Sequence, residues 1–292
     1  MRWQGRRESS NVEDRRGQQM SVAGGAGRSM LPLLLGLVRT KTGRIILLVG
    51  VVVMLVLGQN PLNLIAPQGQ QLTSEPGDTK AYQAEADFVK VILAETEDFW
   101  RSQFSKQGMQ YREPTLVMFT GATQTRCGVG QAAMGPFYCP PDEKVYIDLS
   151  FFRQMKTELK AGGDFAQAYV IAHEVAHHVQ NLLDISDKVH RAQQGSSQVE
   201  GNKLSVKLEL QADCLAGFWG ADAQRKGMLE RGDFEEAINA AKAIGDDTLQ
   251  KNATGRVMPE KFTHGSSAER MRWFDTGFNA VSMAACDTFG GL

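Results

Sequence analysis

The stretch His173-Glu174-Val175-Ala176-His177 constrains this chain more than any other part of it. Two histidines four apart stack on one face of an α-helix, about one turn apart, so both imidazoles can meet a common point. Glu174 lies beside them, where its carboxylate can reach a water on a shared metal without being a ligand itself. The neighbours Val170, Ile171, Ala172, Val175, Ala176 and Val179 are uncharged, as a helix buried in a domain requires. A fold that carries this motif must therefore bury a helix and still leave it open at one point.

Zinc in a hydrolase takes three protein ligands and leaves one position for water. A glycine followed by a third histidine downstream of the motif is excluded, because those positions hold Gln180 and Leu183. Glu209-Leu210-Gln211-Ala212-Asp213 supplies an i, i+4 acid pair on a predicted helix among Ala212, Leu215, Ala216 and Gly217. Buried carboxylates are costly unless a metal or a histidine partners them. Glu209 is therefore assigned as the third metal ligand, with Asp213 as the acceptor that holds a ligand histidine by its other ring N–H. Lys203 and Lys207 are the competing salt-bridge partners of a solvated helix face, and Glu200 is the alternative ligand.

Residues 1–44 hold nine Lys/Arg against three acids, which leaves 23 basic and 30 acidic residues for the rest of the 292. An acidic body argues against nucleic acid as a partner. Ile45 to Leu57 is apolar without interruption, and the window 45–66 reaches the length of a single transmembrane helix. Arg39, Lys41 and Arg44 in front of it place the N-terminal side in the cytoplasm. The expected division is thus a basic cytoplasmic segment 1–44, an anchor 45–66, a linker 67–79 and a domain 80–292. That division makes the chain a single-pass protein of the inner membrane with its domain periplasmic or extracellular. Cys127, Cys139, Cys214 and Cys286 would then lie where disulfides persist, with 127–139 the favoured pair around a loop poor in structure of its own.

Helical spacing of Phe88, Val91, Ile92, Phe99 and Trp100 predicts a helix over 81–104. Further helices are predicted at 164–183, 198–226, 234–243 and 268–280, the last opened by a capping box from Ser266 to Glu269. Strands are predicted at 115–119 and 144–148, the second as the edge along which a substrate backbone would lie. The fold class is α+β, mostly helical with a small sheet.

The opening Met1-Arg2-Trp3-Gln4-Gly5-Arg6-Arg7, the apolar run, the motif Ala172 to Gln180 and Glu209-Leu210-Gln211-Ala212-Asp213-Cys214 together resemble the bacterial family named "putative neutral zinc metallopeptidase". The resemblance implies a zincin-like fold, with the sheet packed on the motif helix. It also implies a membrane-anchored zinc metallopeptidase that cleaves a peptide or protein substrate. Thr263-His264-Gly265-Ser266 is similar to a stretch near the C-terminus of membrane prenyl-protein proteases, which implies an oxyanion-stabilising role for His264, assisted by Arg270. Competing readings are a noncatalytic, membrane-tethered zinc-binding interaction protein and a zinc amidase acting on a non-protein substrate. An intact Glu174 disfavours the first, since a structural zinc site needs no general base.

Overall fold

The computed structural model describes residues 1–18, 82–131 and 134–290. In chain order the elements are β1 (Val12–Asp14), α1 (Gln83–Lys106), β2 (Thr115–Phe119), β3 (Ala122–Thr125), β4 (Gly128–Gln131), β5 (Phe137–Cys139) and β6 (Lys144–Asp148). Helices follow: α2 (Ser150–Thr157), α3 (Asp164–Leu182), α4 (Ile185–Gln194), α5 (Gln198–Arg225), α6 (Asp233–Ala243), α7 (Asp246–Thr254) and α8 (Ser267–Phe278). The architecture is mixed α and β, mostly helical with a small sheet.

The motif helix α3 is the hub. It packs against α1, α4, α5 and α6 and against the sheet through β5 and β6. Phe165, Tyr169, Ile171, Val175 and Val179 are fully buried on its different faces, so the uncharged run seen in the sequence is the signature of a helix enclosed by neighbours. The sheet runs β1-β2-β6-β5, with β1, β2 and β6 parallel and β5 antiparallel to β6. The strand 144–148 therefore lies inside the sheet, paired on both sides, and is not the edge expected from the sequence. The edge nearest α3 is β5.

Between Cys127 and Cys139 the chain is not structureless. It forms β4, which pairs with β3 as a hairpin, and then β5. The two cysteines are disulfide-bonded, as are Cys214 and Cys286. The first bond ties the hairpin to the edge strand, and the second ties the C-terminal segment to α5.

Two glycines set the closest helix contact. A Cβ on Gly277 would meet Cys214 O at 1.8 Å, and one on Gly217 would meet Phe274 O at 2.1 Å. Only hydrogen at these positions lets α5 and α8 touch backbone to backbone, which is what brings Arg270 onto α5.

Residues 1–18 correct the expected division of the chain. They do not form a separate segment but join residues 82–290 in one compact unit. Val12, Glu13 and Asp14 pair in register with Leu116, Val117 and Met118. The physical reason is that their charges are consumed within the fold. Arg6 binds Glu95 at 2.9 Å, Arg7 binds Glu97 at 3.0 Å, Ser9 and Asn11 hold the other Glu97 oxygen, and Arg16 donates to Tyr82 O at 3.0 Å. Counted by sequence, the same arginines are part of the basic excess of residues 1–44. Strands of one sheet also lie on one side of any membrane, so an N-terminus and a catalytic domain on opposite sides do not fit this pairing. The window 45–66 and the linker 67–79 lie outside the described residues. Among the described residues no helix is long and apolar enough to cross a membrane.

Candidate metal centre

Helices α3 and α5 place His173, His177 and Glu209 together, with one ligand atom from each lying within 4.8 Å of the others. The His173 Nε2 is 3.1 Å from one Glu209 oxygen and the His177 Nε2 is 3.4 Å from the other. Ligands about 2.0–2.2 Å from one tetrahedral zinc ion are separated by roughly 3.3–3.6 Å, so this donor set fits zinc. The rings stand at 89° to each other, 4.8 Å between centroids.

The far nitrogens are also occupied. His173 Nδ1 donates to Asp213 Oδ1 at 2.8 Å, and His177 Nδ1 donates to Gln180 Oε1 at 2.9 Å. Both rings therefore present Nε2 to the ligand position. Asp213 is the acceptor predicted from the sequence, and it is fully buried. Arg270 Nε and Nη2 grip its two oxygens at 2.8 and 2.9 Å, and Tyr169 O–H donates to it at 2.5 Å. Arg270 is 2 % exposed and also donates through Nη2 to the Tyr169 hydroxyl at 3.2 Å and through Nη1 to Ile244 O at 3.3 Å. Its role as an oxyanion assistant is thus corrected: it holds the residue that holds His173.

Burial works against charge throughout the cluster and is outweighed at each ligand. Desolvation opposes a charged His173, yet Asp213 and Glu209 push its pKa up to about 10. His177 is raised, against burial, chiefly by Glu209. Burial would raise Glu209, but His177 and His173 hold it well below the usual carboxylate range. The protons on the two Nε2 atoms sit where lone pairs would face a metal, so metal uptake exchanges protons for the ion. Glu174 differs. It is 7 % exposed, it makes no hydrogen bond among the described residues, and burial raises its pKa despite His177 and His173 nearby. A raised, unpartnered carboxylate beside a metal position suits proton transfer.

His264 is not in contact with the ligands. It is half-exposed, with Nδ1 at 3.3 Å from Asp246, and the same Asp246 carboxylate accepts from the backbone N–H of Thr263, His264 and Gly265. The turn packs on Val206 and Leu210, beside Glu209 on α5, and the Glu209 charge contributes to raising the His264 pKa after the Asp246 hydrogen bond. Glu200, the alternative ligand, is exposed and paired with Lys203. His178 is buried, donates Nε2–H to Arg112 O at 2.7 Å and accepts from Tyr138 O–H at 2.9 Å, which pins the edge strand β5 to α3. Tyr169, Gln180 and Gln211 belong to the site and carry no metal-ligand signature in the sequence. The only signal for Tyr169 and Gln180 was their spacing, one turn before His173 and one turn after His177; Gln211, two residues from Glu209, had none.

The protein YpfJ of Escherichia coli K12 is 52 % identical to this chain over 294 residues, covering 99 % of both chains. The protein Rv2575 of Mycobacterium tuberculosis H37Rv is 42 % identical over 190 residues, 61 % of this chain and 63 % of its own. No solved structure matches the chain. The family described as "Putative neutral zinc metallopeptidase" matches residues 1–289, a span that contains every residue of the centre, and the chain belongs to that family.

Proposed function

We propose that this chain hydrolyses peptide bonds with Glu174 as general base at a zinc centre held by His173, His177 and Glu209. The observation that carries the reading is the convergence of two Nε2 atoms on the Glu209 carboxylate, with the buried, unpartnered Glu174 beside them. Bound zinc supplies a Lewis acid and lowers the pKa of a water. Glu174 takes the proton of the attacking water and returns it to the leaving amine, a transfer its raised pKa favours. Asp213, clamped by Arg270, keeps His173 in its ligating tautomer. His264, on a turn anchored by Asp246, is assigned to the oxyanion that develops on the substrate carbonyl. Substrate backbone is assigned to the edge strand β5, beside the motif helix.

Attachment to a membrane through the window 45–66 is part of the proposal; with residues 1–18 and the catalytic unit on the same side, that attachment is not a single crossing. The two disulfides favour an oxidising compartment for that side, periplasmic or extracellular. The test is zinc content and cleavage of a peptide library by the full chain. One zinc per chain, lost in Glu209→Ala, and cleavage that a chelator stops and zinc restores are expected. Zinc-free protein that cleaves equally well contradicts the reading.

A further inference from the structure

His177 is the start of a chain of buried hydrogen bonds that leaves the metal centre. Gln180 Nε2 lies 2.7 Å from Leu208 O and 3.0 Å from Gln211 Oε1, and Gln211 Nε2 lies 3.1 Å from Cys286 O. Backbone carbonyls only accept, so each fixes the amide facing it. The Cys286 carbonyl requires the Gln211 NH2, which turns Gln211 Oε1 toward Gln180. The Leu208 carbonyl independently requires the Gln180 NH2, which turns Gln180 Oε1 toward His177 Nδ1. That nitrogen must then carry the proton, and Nε2 is left to the metal. Both glutamine side chains are enclosed, Gln180 fully and Gln211 at 7 % exposed, so water does not substitute easily for a lost partner.

The last link depends on a covalent bond. Cys286 lies in the short 3₁₀ turn Met283–Cys286 after α8, and its disulfide to Cys214 on α5 sets the position of its carbonyl. Cys214 follows Asp213 directly, and Gln211 lies between Glu209 and Asp213. One stretch of α5 thus provides a metal ligand, the anchor of the other histidine, the relay amide and the disulfide.

We propose that Gln180 and Gln211 are positioning residues that hold His177 in its metal-binding tautomer, and that the Cys214–Cys286 disulfide reinforces that hold through Gln211. The inference rests on His173, His177 and Glu209 being the zinc site, and extends that site by two residues and a crosslink. Loss of a residue that orients a metal-bound histidine typically weakens metal binding ~10–100-fold. Gln180→Leu, which removes the acceptor itself, takes the full effect. Gln211→Leu leaves Gln180 bonded to Leu208 O and takes a smaller one.

The experiment is a double-mutant cycle on the full chain, read as zinc dissociation constant by competition with a chromophoric chelator. Removing the disulfide as Cys214→Ala with Cys286→Ala is expected to weaken zinc binding in the wild-type background and to add little once Gln211 is leucine. Ring nitrogen chemical shifts report the His177 tautomer directly. Measured on both proteins zinc-free and at a pH where the ring is neutral, they are expected to show a single Nδ1–H form in the wild type and a mixture in Gln180→Leu. A folded Gln180→Leu protein with unchanged zinc affinity overturns the proposal, as do disulfide and Gln211 effects that simply add. Gln180→Leu and Gln211→Leu both keep the disulfides, so they decide the matter even where the disulfide-free chain does not fold: unchanged zinc affinity in Gln211→Leu overturns the link to the disulfide. Wild-type chain that binds no zinc refutes the metal centre itself, a failure distinct from that of the relay.

Discussion

Arg270 and Asp213 form a buried two-pronged ion pair, 2.8 and 2.9 Å, whose acid simultaneously holds the ring of His173. The pair links α8 to the metal centre although 57 residues separate its partners.

Breaking the pair from one side leaves a buried charge. Arg270→Leu is expected to destabilise the fold by about 3–5 kcal/mol, measured by urea unfolding. Burial would raise the Asp213 pKa, but Arg270 and His173 bring it down to about 2 from 3.8. A depressed carboxylate contributes stability above its unfolded value and loses it as pH falls toward the folded one. About 2 kcal/mol is therefore lost between pH 4 and pH 2 in the wild type. Stability that is flat over this range contradicts the assignment.

The close approach of α5 and α8 predicts that Gly277→Ala forces the helices apart, since its Cβ would fall 1.8 Å from Cys214 O. A loss of at least ~1–3 kcal/mol is expected, together with weaker zinc binding as Arg270 leaves Asp213. Unfolding midpoints and zinc titration on one preparation test both parts. An alanine variant as stable as the wild type would refute the contact.

The hydrogen bond to Asp246 raises the His264 pKa above 6.5. A raised histidine stabilises the fold fully below its unfolded pKa and loses that contribution as pH rises through the folded value. Asp246→Asn keeps an acceptor for the turn but removes the charge, so the His264 midpoint should drop back toward 6.5. Proton NMR titration of the ring reads this, and an unmoved midpoint excludes the pairing.

The pairing of β1 with β2 predicts the sidedness of the chain in a membrane. Ser10→Cys and Val281→Cys, both exposed, are expected to react with a membrane-impermeant maleimide from the same side of intact membranes. Labelling from opposite sides would contradict the shared sheet.

Where the sequence carried a long period, the elements were legible. The helix predicted over 164–183 ends at Leu182, and the strands at 115–119 and 144–148 fall on those residues. The capping box of Ser266 with Glu269 is present. The three-residue strands β1 and β5 were not legible, because so short a run has no period of its own and exists through the register of a distant partner. The grouping of His173, His177 and Glu209 with Asp213 was readable because histidines and acids at helical spacing point to one common position. Arg270 was misread because its local context, a polar turn before a helix, says nothing of an acid far away in the chain. Gln180 and Gln211 carry no charge, and their part follows only from carbonyls that folding brings to them.

The central claim is that Glu174 moves the proton at a zinc centre it does not build. Zinc stoichiometry and peptide cleavage, measured on the same preparation of Glu174→Gln, test it most directly. The account predicts one zinc per chain, as in the wild type, and hydrolysis reduced by at least ~100-fold, the scale of general-base catalysis. A zinc-loaded Glu174→Gln protein that cleaves at the wild-type rate would contradict it.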